Sequence, residues 1–361
     1  MIIHSVELNN FRNYEYLKLQ LDPGVNIFYG NNAQGKTNIL DAVYVGCTSK
    51  SHKLSKDREM IRFDRNEAHI RINLTKKEVP YRIDMHLKKN SAKGIAVNGI
   101  PIRRSSELFG IANVVIFSSE DLNIIKDGPS ERRRFMDLEL CQLNKIYVYN
   151  LISYTKVVNQ KNKLLKEYEF RKDADDFIDI YNQQLVQYGS ELIRIRSGFV
   201  DSLNSLIRGI HADITDGLEE ISVGYEMQTT AEAFADNLNK SRPQEIRAGM
   251  SLVGPHRDDL IFTINGIDIR HYGSQGQQRT AVLSLKLAEI LMVEEITGER
   301  PLLLLDDVLS ELDRKRQNQL LGTIREGQTL ITCTGLDDFI DHRFHIDKIF
   351  HVSNGSVTGE N

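Results

Sequence analysis

Gly30-Asn31-Asn32-Ala33-Gln34-Gly35-Lys36-Thr37, GNNAQGKT, decides the fold class of this 361-residue chain. The octapeptide fits G-x-x-x-x-G-K-[ST], a loop whose backbone N–H groups curl around phosphate oxygens. Its surroundings fit as well. Val25–Tyr29 is a short apolar run that predicts a strand leading in, and Ile39–Val45 predicts a helix leading out. In that context Gly30, Asn31, Asn32, Ala33, Gln34, Gly35 and Asn38 are expected to wrap the phosphates of ATP. Lys36 would neutralise the outer phosphates, and Thr37, at the helix N-terminus, would offer its hydroxyl to Mg2+.

Such a loop needs an acidic strand beside it. Pro301–Asp307, PLLLLDD, runs four leucines into two aspartates. Asp306 is the expected magnesium-side carboxylate. Asp307, next along, is placed to take a proton from an attacking water. A third element narrows the class. Ser274-Gln275-Gly276-Gln277, after Gly273, leads into the apolar-rich helical run Thr280–Ile296. A small, hydroxylated, glycine-containing helix start presents free N–H groups and a positive dipole end, a second place for phosphate. Two such starts on one chain imply a nucleotide shared between two copies, hence an ATP-dependent homodimer.

These elements resemble those of the ABC-type ATPases and, within them, the SMC-like heads of DNA repair. SQGQQ is similar to the family's signature motif, and Ser310-Glu311-Leu312-Asp313 to its D-loop. NNFRNY (Asn9–Tyr14), TSKSH (Thr48–His52), FSSEDLNIIKDGPSERRRFMD (Phe117–Asp137), VGPHRDD (Val253–Asp259) and LLDDVLSELD (Leu304–Asp313) extend the resemblance over nearly the whole chain, in family order. It implies DNA binding at duplex or gapped sites, help in loading recombinase onto gaps and stalled forks, and partners among other recombination mediators. It also implies that Arg12 reaches the nucleotide, a residue that by itself reads equally as a plain surface arginine. Two departures stand out. Transporter ATPases of the class carry glutamate at the position of Asp307, and a histidine after the strand matching Thr329–Cys333, where this chain has Thr334. A shorter base and no phosphate-sensing imidazole suit slow hydrolysis, a switch rather than a motor.

The rest of the chain bounds the organisation. Between Pro129 and Pro243 there is no proline, which suits long helices, and Leu185, Leu192, Phe199 and Leu206 recur every seven residues with Tyr188 and Ile195 as second positions. The flanks alternate like strands, and Asn98-Gly99 and Asn265-Gly266 have the composition of tight hairpin turns. The expected architecture is an α/β ABC-type (SMC-like head) P-loop ATPase lobe, residues 1–128 and 244–361, interrupted by a helical lobe, residues 129–243.

Composition excludes several classes. Net charge is −4, with 27% charged and 40% apolar residues, an ordinary globular balance. Three scattered cysteines, Cys47, Cys141 and Cys333, fit neither a zinc ribbon nor a disulfide scaffold and suit a reducing cytoplasm. No apolar run is long enough to cross a membrane. With a mildly acidic whole, DNA must be met by local basic clusters: Lys50, His52, Lys53, Lys56 and Arg58; Arg103 and Arg104; Arg132, Arg133 and Arg134. No aromatic platform or recognition helix accompanies them, so binding would be directed at the backbone and indifferent to sequence. His256-Arg257-Asp258-Asp259 reads equally as a structural ion-pair group or a ligand contact. The two other functions considered are an SMC-like structural DNA clamp, which needs a far longer coiled coil than this chain holds, and a transporter's ATPase subunit.

Overall fold

The computed structural model describes residues 1–53, 56–324, 327–336, 339 and 345–360. Its strands are β1 (Ile2–Phe11), β2 (Tyr14–Gln20), β3 (Val25–Tyr29), β4 (Glu67–Lys76), β5 (Val79–Lys88), β6 (Gly94–Val97), β7 (Ile100–Pro101), β8 (Val114–Ser118), β9 (Ile221–Glu226), β10 (Asp259–Ile264), β11 (Ile267–Asp268), β12 (Leu302–Asp306), β13 (Thr329–Cys333), β14 (Lys348–Ser353) and β15 (Ser356–Glu360). Its helices are α1 (Lys36–Thr48), α2 (Asp57–Met60), α3 (Asn123–Lys126), α4 (Pro129–Leu143), α5 (Lys145–Lys166), α6 (Ala174–Thr215), α7 (Phe234–Ala248), α8 (Ile269–Tyr272), α9 (Gln275–Thr297) and α10 (Arg314–Ile324). The chain divides into two compact units, Met1–Asp121 with Leu283–Asn361, and Leu122–Val282.

The first unit holds two six-stranded sheets. One, in the order β2-β1-β4-β5-β6-β7, is antiparallel throughout. Its strands alternate: β4 buries Ala68, Ile70, Ile72 and Leu74 and turns Glu67, His69 and Arg71 outward. The other, β15-β14-β3-β13-β12-β8, is parallel except for β15. Here the first four residues of β3, β8, β12 and β13 are all buried, as strands covered on both faces must be, with Asn26, Thr329 and Thr332 as the polar members. Helix α1 packs against strands of both sheets, and Ile39, Leu40, Ala42, Val43, Val45 and Cys47 are fully buried around its circumference. Because α1 starts at the phosphate loop, this burial fixes the loop's exit direction.

The second unit is helical with a three-stranded antiparallel sheet, β11-β10-β9. The boundary expected at residue 243 falls inside α7, which accommodates Pro243, and the unit runs on to Val282. A proline-free stretch therefore underestimated it: the hairpin β10–β11, turned at Asn265-Gly266 with φ of 51° and 76°, packs with this unit. Helix α6 is 42 residues long. Leu185, Leu192 and Phe199 are buried as the heptad predicts, but Tyr188, Ile195 and Leu206 are only half-buried, and the seam passes instead to Leu203 and Ile207. A straight helix with about 3.6 residues per turn drifts off a seven-residue repeat. The helix packs in a globular bundle.

Candidate nucleotide site

Glycine geometry builds the loop. Gly30 has φ 149° and Gly35 φ 114°, values hostile to a side chain, and both positions are also crowded. A Cβ on Gly30 would lie 2.3 Å from the Val352 carbonyl oxygen, and one on Gly35 would lie 2.4 Å from Asn13 Nδ2. The loop is braced from two sides within the first unit. Asn13 Nδ2 donates to Gln34 O at 3.1 Å, and Tyr14 Oη donates to Gly35 O at 3.0 Å. Burial pushes the Tyr14 phenol well above its ordinary pKa, so it stays a donor. From the other side, Asn354 N donates to Gln34 Oε1 at 2.6 Å in the β14–β15 turn. Asn38 Nδ2 donates to Asn13 Oδ1 at 2.8 Å, linking the first turn of α1 to the same brace. Asn31, Asn32 and Ala33 form the exposed tip.

Lys36 is buried, 4% exposed, and its Nζ donates to Gly30 O at 2.6 Å and Asn31 O at 3.2 Å. The ammonium is thus pinned inside the loop's own curve. Thr37 Oγ1 donates to Asp306 Oδ1 at 2.6 Å, joining the start of α1 to the end of β12. These strands are not neighbours, since β13 runs between β3 and β12. Its register places Thr332 opposite both Asp306 and Phe28. Thr332 Oγ1 donates to Asp306 Oδ1 at 2.8 Å and accepts from Asp307 N at 3.0 Å. One threonine therefore orients both aspartates, a role that the motif spacing does not reveal.

Asp307 has φ 54°, a left-handed backbone conformation just past the end of β12. Burial raises its pKa above the usual carboxylate range and the neighbouring Asp306 raises it too, against the opposing pull of Lys36 and Lys53. A cavity of about 140 Å³ lined by Asp307, Ser310, Thr332 and Thr334 lies beside it. The oxygens of Thr37 and Asp306 are the hard donors that suit Mg2+, which keeps several of its waters and takes few protein ligands.

Arg12 is not on the loop. Its Nη2 donates to Asp41 Oδ2 at 2.7 Å. Asp41 is fully buried on α1 and also accepts from Ser51 Oγ at 2.7 Å, with His52 Nδ1 at 3.0 Å. Burial alone would raise the Asp41 carboxyl, but the bonds from His52, Ser51 and Arg12 outweigh it and hold it below its ordinary range. The motifs NNFRNY and TSKSH thus meet at one buried carboxylate.

In the second unit, Ser274 caps α9: Gln277 N donates to Ser274 Oγ at 3.2 Å, and Gln277 Oε1 accepts from Ser274 N at 3.0 Å. This reciprocal box satisfies two donors and leaves Ser274, Gln275 and Gly276 exposed at the start of a 23-residue helix. Gln277 is steadied by Glu219 through Nε2 at 3.0 Å.

The basic clusters separate. Lys50, Lys53, Lys56, Arg58, Arg103 and Arg104 are exposed, whereas His52 is buried on Asp41. Arg132 is 2% exposed and grips Asp259 with two bonds of 2.7 and 2.8 Å, and Arg133 donates to Asp258 O at 2.7 Å. Arg134, half-buried, donates to Glu131 Oε2 at 3.2 Å, so all three arginines are engaged within the fold. So is His256, whose ring nitrogens meet Tyr154 Oη at 2.7 Å and Ser251 O at 3.2 Å, and whose pKa burial lowers to about 4. Among the described residues no helix is long and apolar enough to cross a membrane.

Comparison with known proteins agrees with this geometry. A family model described as an AAA domain matches residues 5–220. A solved SMC head bound to the C-winged helix domain of ScpA superposes with a TM-score of 0.57 over 100% of this chain and 97% of that one, and at 16% identity it shares the ABC-type fold. A solved structure of the recombination mediator RecF with ATP, from the RecFOR pathway, reaches a TM-score of 0.93 at 34% identity, covering 100% and 98% of the two chains. The DNA replication and repair protein RecF of Lachnoclostridium phytofermentans is 57% identical over 357 residues, 99% of each chain. With the phosphate loop, the twin aspartates and the capped Ser274 helix all in place along a full-length match, the chain belongs to the RecF family of DNA replication and repair proteins.

Proposed function

We propose that this chain is an ATP-switched DNA-binding protein of recombinational repair, in which two copies close face to face on nucleotide. The observation that carries the reading is the joined set Lys36, Thr37 and Asp306: a buried cation and two oxygen donors drawn from sequence-distant elements, with Thr37 and Asp306 2.6 Å apart. ATP would lie along Gly30–Asn38, with Mg2+ held by Thr37 and Asp306. The bound ion would supply charge neutralisation of the phosphates. Asp307 would take the water's proton, and Thr332 would hold it in place. Arg12 can meet a nucleotide only by sharing or leaving Asp41, so its contact belongs to the proposal. The exposed Ser274–Gln277 helix start of one copy would cap the nucleotide held by the other.

Hydrolysis would be weak and stimulated by DNA. The exposed cations Lys50, Lys53, Lys56, Arg58, Arg103 and Arg104 would meet the phosphate backbone of duplex DNA or duplex/single-strand junctions, without sequence preference. Other recombination mediators are the proposed protein partners, in the cytoplasm. Ser274→Arg tests the dimer: it should keep ATP binding at the subunit's own loop, lose ATP-driven dimerisation in sedimentation, and lose the ATP-dependent part of DNA affinity at one fixed salt concentration. Normal dimerisation of the folded variant would remove the signature helix from the interface.

A further inference from the structure

The outward face of the antiparallel sheet carries a group of side chains that the nucleotide reading does not use. His69 on β4 and His86 on β5 are direct register partners, and Glu67 lies two residues from His69 on the same face. The two imidazoles stack with centroids 4.0 Å apart and an interplanar angle of 21°. His86 Nε2 lies 2.9 Å from Glu67 Oε2. One ligand atom from each of the three residues falls within a 4.8 Å span. His69 and His86 also line a cavity of about 420 Å³, together with Glu7, Asn9 and Asp84.

We infer that Glu67, His69 and His86 form a binding site for Zn2+ or a closely similar divalent transition ion, with its remaining coordination position open to the cavity. Two imidazole nitrogens and one carboxylate oxygen are a donor set that suits zinc better than magnesium or calcium, which prefer oxygen alone. Distances agree. Ligand atoms about 2.0–2.1 Å from one tetrahedral ion sit roughly 3.3 Å apart. The ion would take the place of the 2.9 Å His86–Glu67 hydrogen bond, and His69 would turn out of its stack with His86 to aim its in-plane lone pair at the same point. His69 makes no hydrogen bond among the described residues, so what coordination displaces from it is its stack on His86.

The backbone supplies the second argument. On an antiparallel pair, directly opposed side chains stay close because the ladder holds them, so two ligands are preorganised before any ion arrives. The inward side of the same strands, Ala68, Ile70 and Leu87, belongs to the core that also contains α1. The ion would therefore rivet β4 to β5 on the face turned away from the phosphate-loop helix. It would leave nucleotide binding untouched.

The test is calorimetric titration of Zn2+ into the full-length, chelator-stripped protein in excess Mg2+, which occupies sites made of oxygen donors. One equivalent should bind, and Co2+ in its place should give the visible absorption of a low-coordinate nitrogen–oxygen site. His69→Ala and His86→Ala should each weaken the site by more than the about 10–100-fold typical of an outer-shell change, and Glu67→Gln by less. All three sit on the solvent face, so circular dichroism and ATP binding should match the parent. Zn2+ should raise the melting temperature of the parent but not of the histidine variants. Absence of a saturable first equivalent, or unchanged affinity in both histidine variants, would overturn the assignment.

Discussion

The same dipeptide, Asp-Asp, occurs at two strand ends with opposite consequences. At the end of β12, the oxygen of Asp306 accepts from the hydroxyls of Thr37 and Thr332, neutral donors that leave its negative charge uncancelled. At the start of β10, Asp259 is gripped by two guanidinium bonds from Arg132, and Asp258 accepts from Tyr225 and Gln228 N with Arg196 at 3.5 Å. The second pair is charge-balanced by fixed cations and has a structural role. The first is oriented by hydroxyls and feels Lys36 and Lys53 only at a distance, with no guanidinium bonded to it among the described residues, which leaves its oxygens open to a mobile cation. An acidic pair is thus read from its donors: hydroxyls aim a carboxylate, and guanidiniums retire it.

The largest effect that would break this contrast is on chemistry. Asp307→Asn should keep ATP binding and slow hydrolysis by about 10²–10⁴, the usual contribution of a positioned base. In the unsubstituted protein, hydrolysis should rise with pH through a value above the ordinary carboxylate range, because burial first and Asp306 second raise the pKa of Asp307. Single-turnover rates across pH at saturating ATP would show it. A rate that does not rise with pH across the acid range, or an unimpaired variant, would move the base elsewhere.

Next comes the retired pair. Arg196 is 2% exposed and donates to Tyr147 Oη, Pro255 O and Asp137. Arg196→Met strands Asp258, which is fully buried, without its nearest full charge. The expected loss is about 3–5 kcal/mol of stability, as for one partner removed from a buried ionic group. Denaturant titration measures it, and a loss within about 0.5 kcal/mol, the size of an ordinary surface substitution, would mean that the pair is not held by this arginine.

The smallest effect sharpens the comparison most. Thr332→Val keeps the shape of the side chain and removes the one hydroxyl shared by both aspartates. We expect about 0.5–1.5 kcal/mol weaker coupling of Mg2+ to ATP binding, the worth of one such bond, with the fold intact. Magnesium titration of nucleotide affinity reads it directly. If affinity and hydrolysis were both unchanged, Thr37 alone would be orienting Asp306.

The sequence by itself determined the phosphate loop, because everything it needs lies within eight consecutive residues: glycines where φ is positive, one lysine, one hydroxyl at a helix start. It determined the strand that became β12 by the same logic, since an unbroken apolar run cannot face water on either side. It could also give Ser274, whose cap is completed three residues on by Gln277. What only the tertiary structure decided involves partners far apart in the chain. Thr332 became a site residue because β13 lies between β3 and β12, and strand order is not written in local composition. Arg12 went to Asp41, 29 residues away, and Arg132 to Asp259, 127 residues away, so a basic cluster that reads as a DNA contact is consumed inside the fold. A charge run in a sequence carries no record of its counter-ion, because neutralisation acts through space and depends on burial.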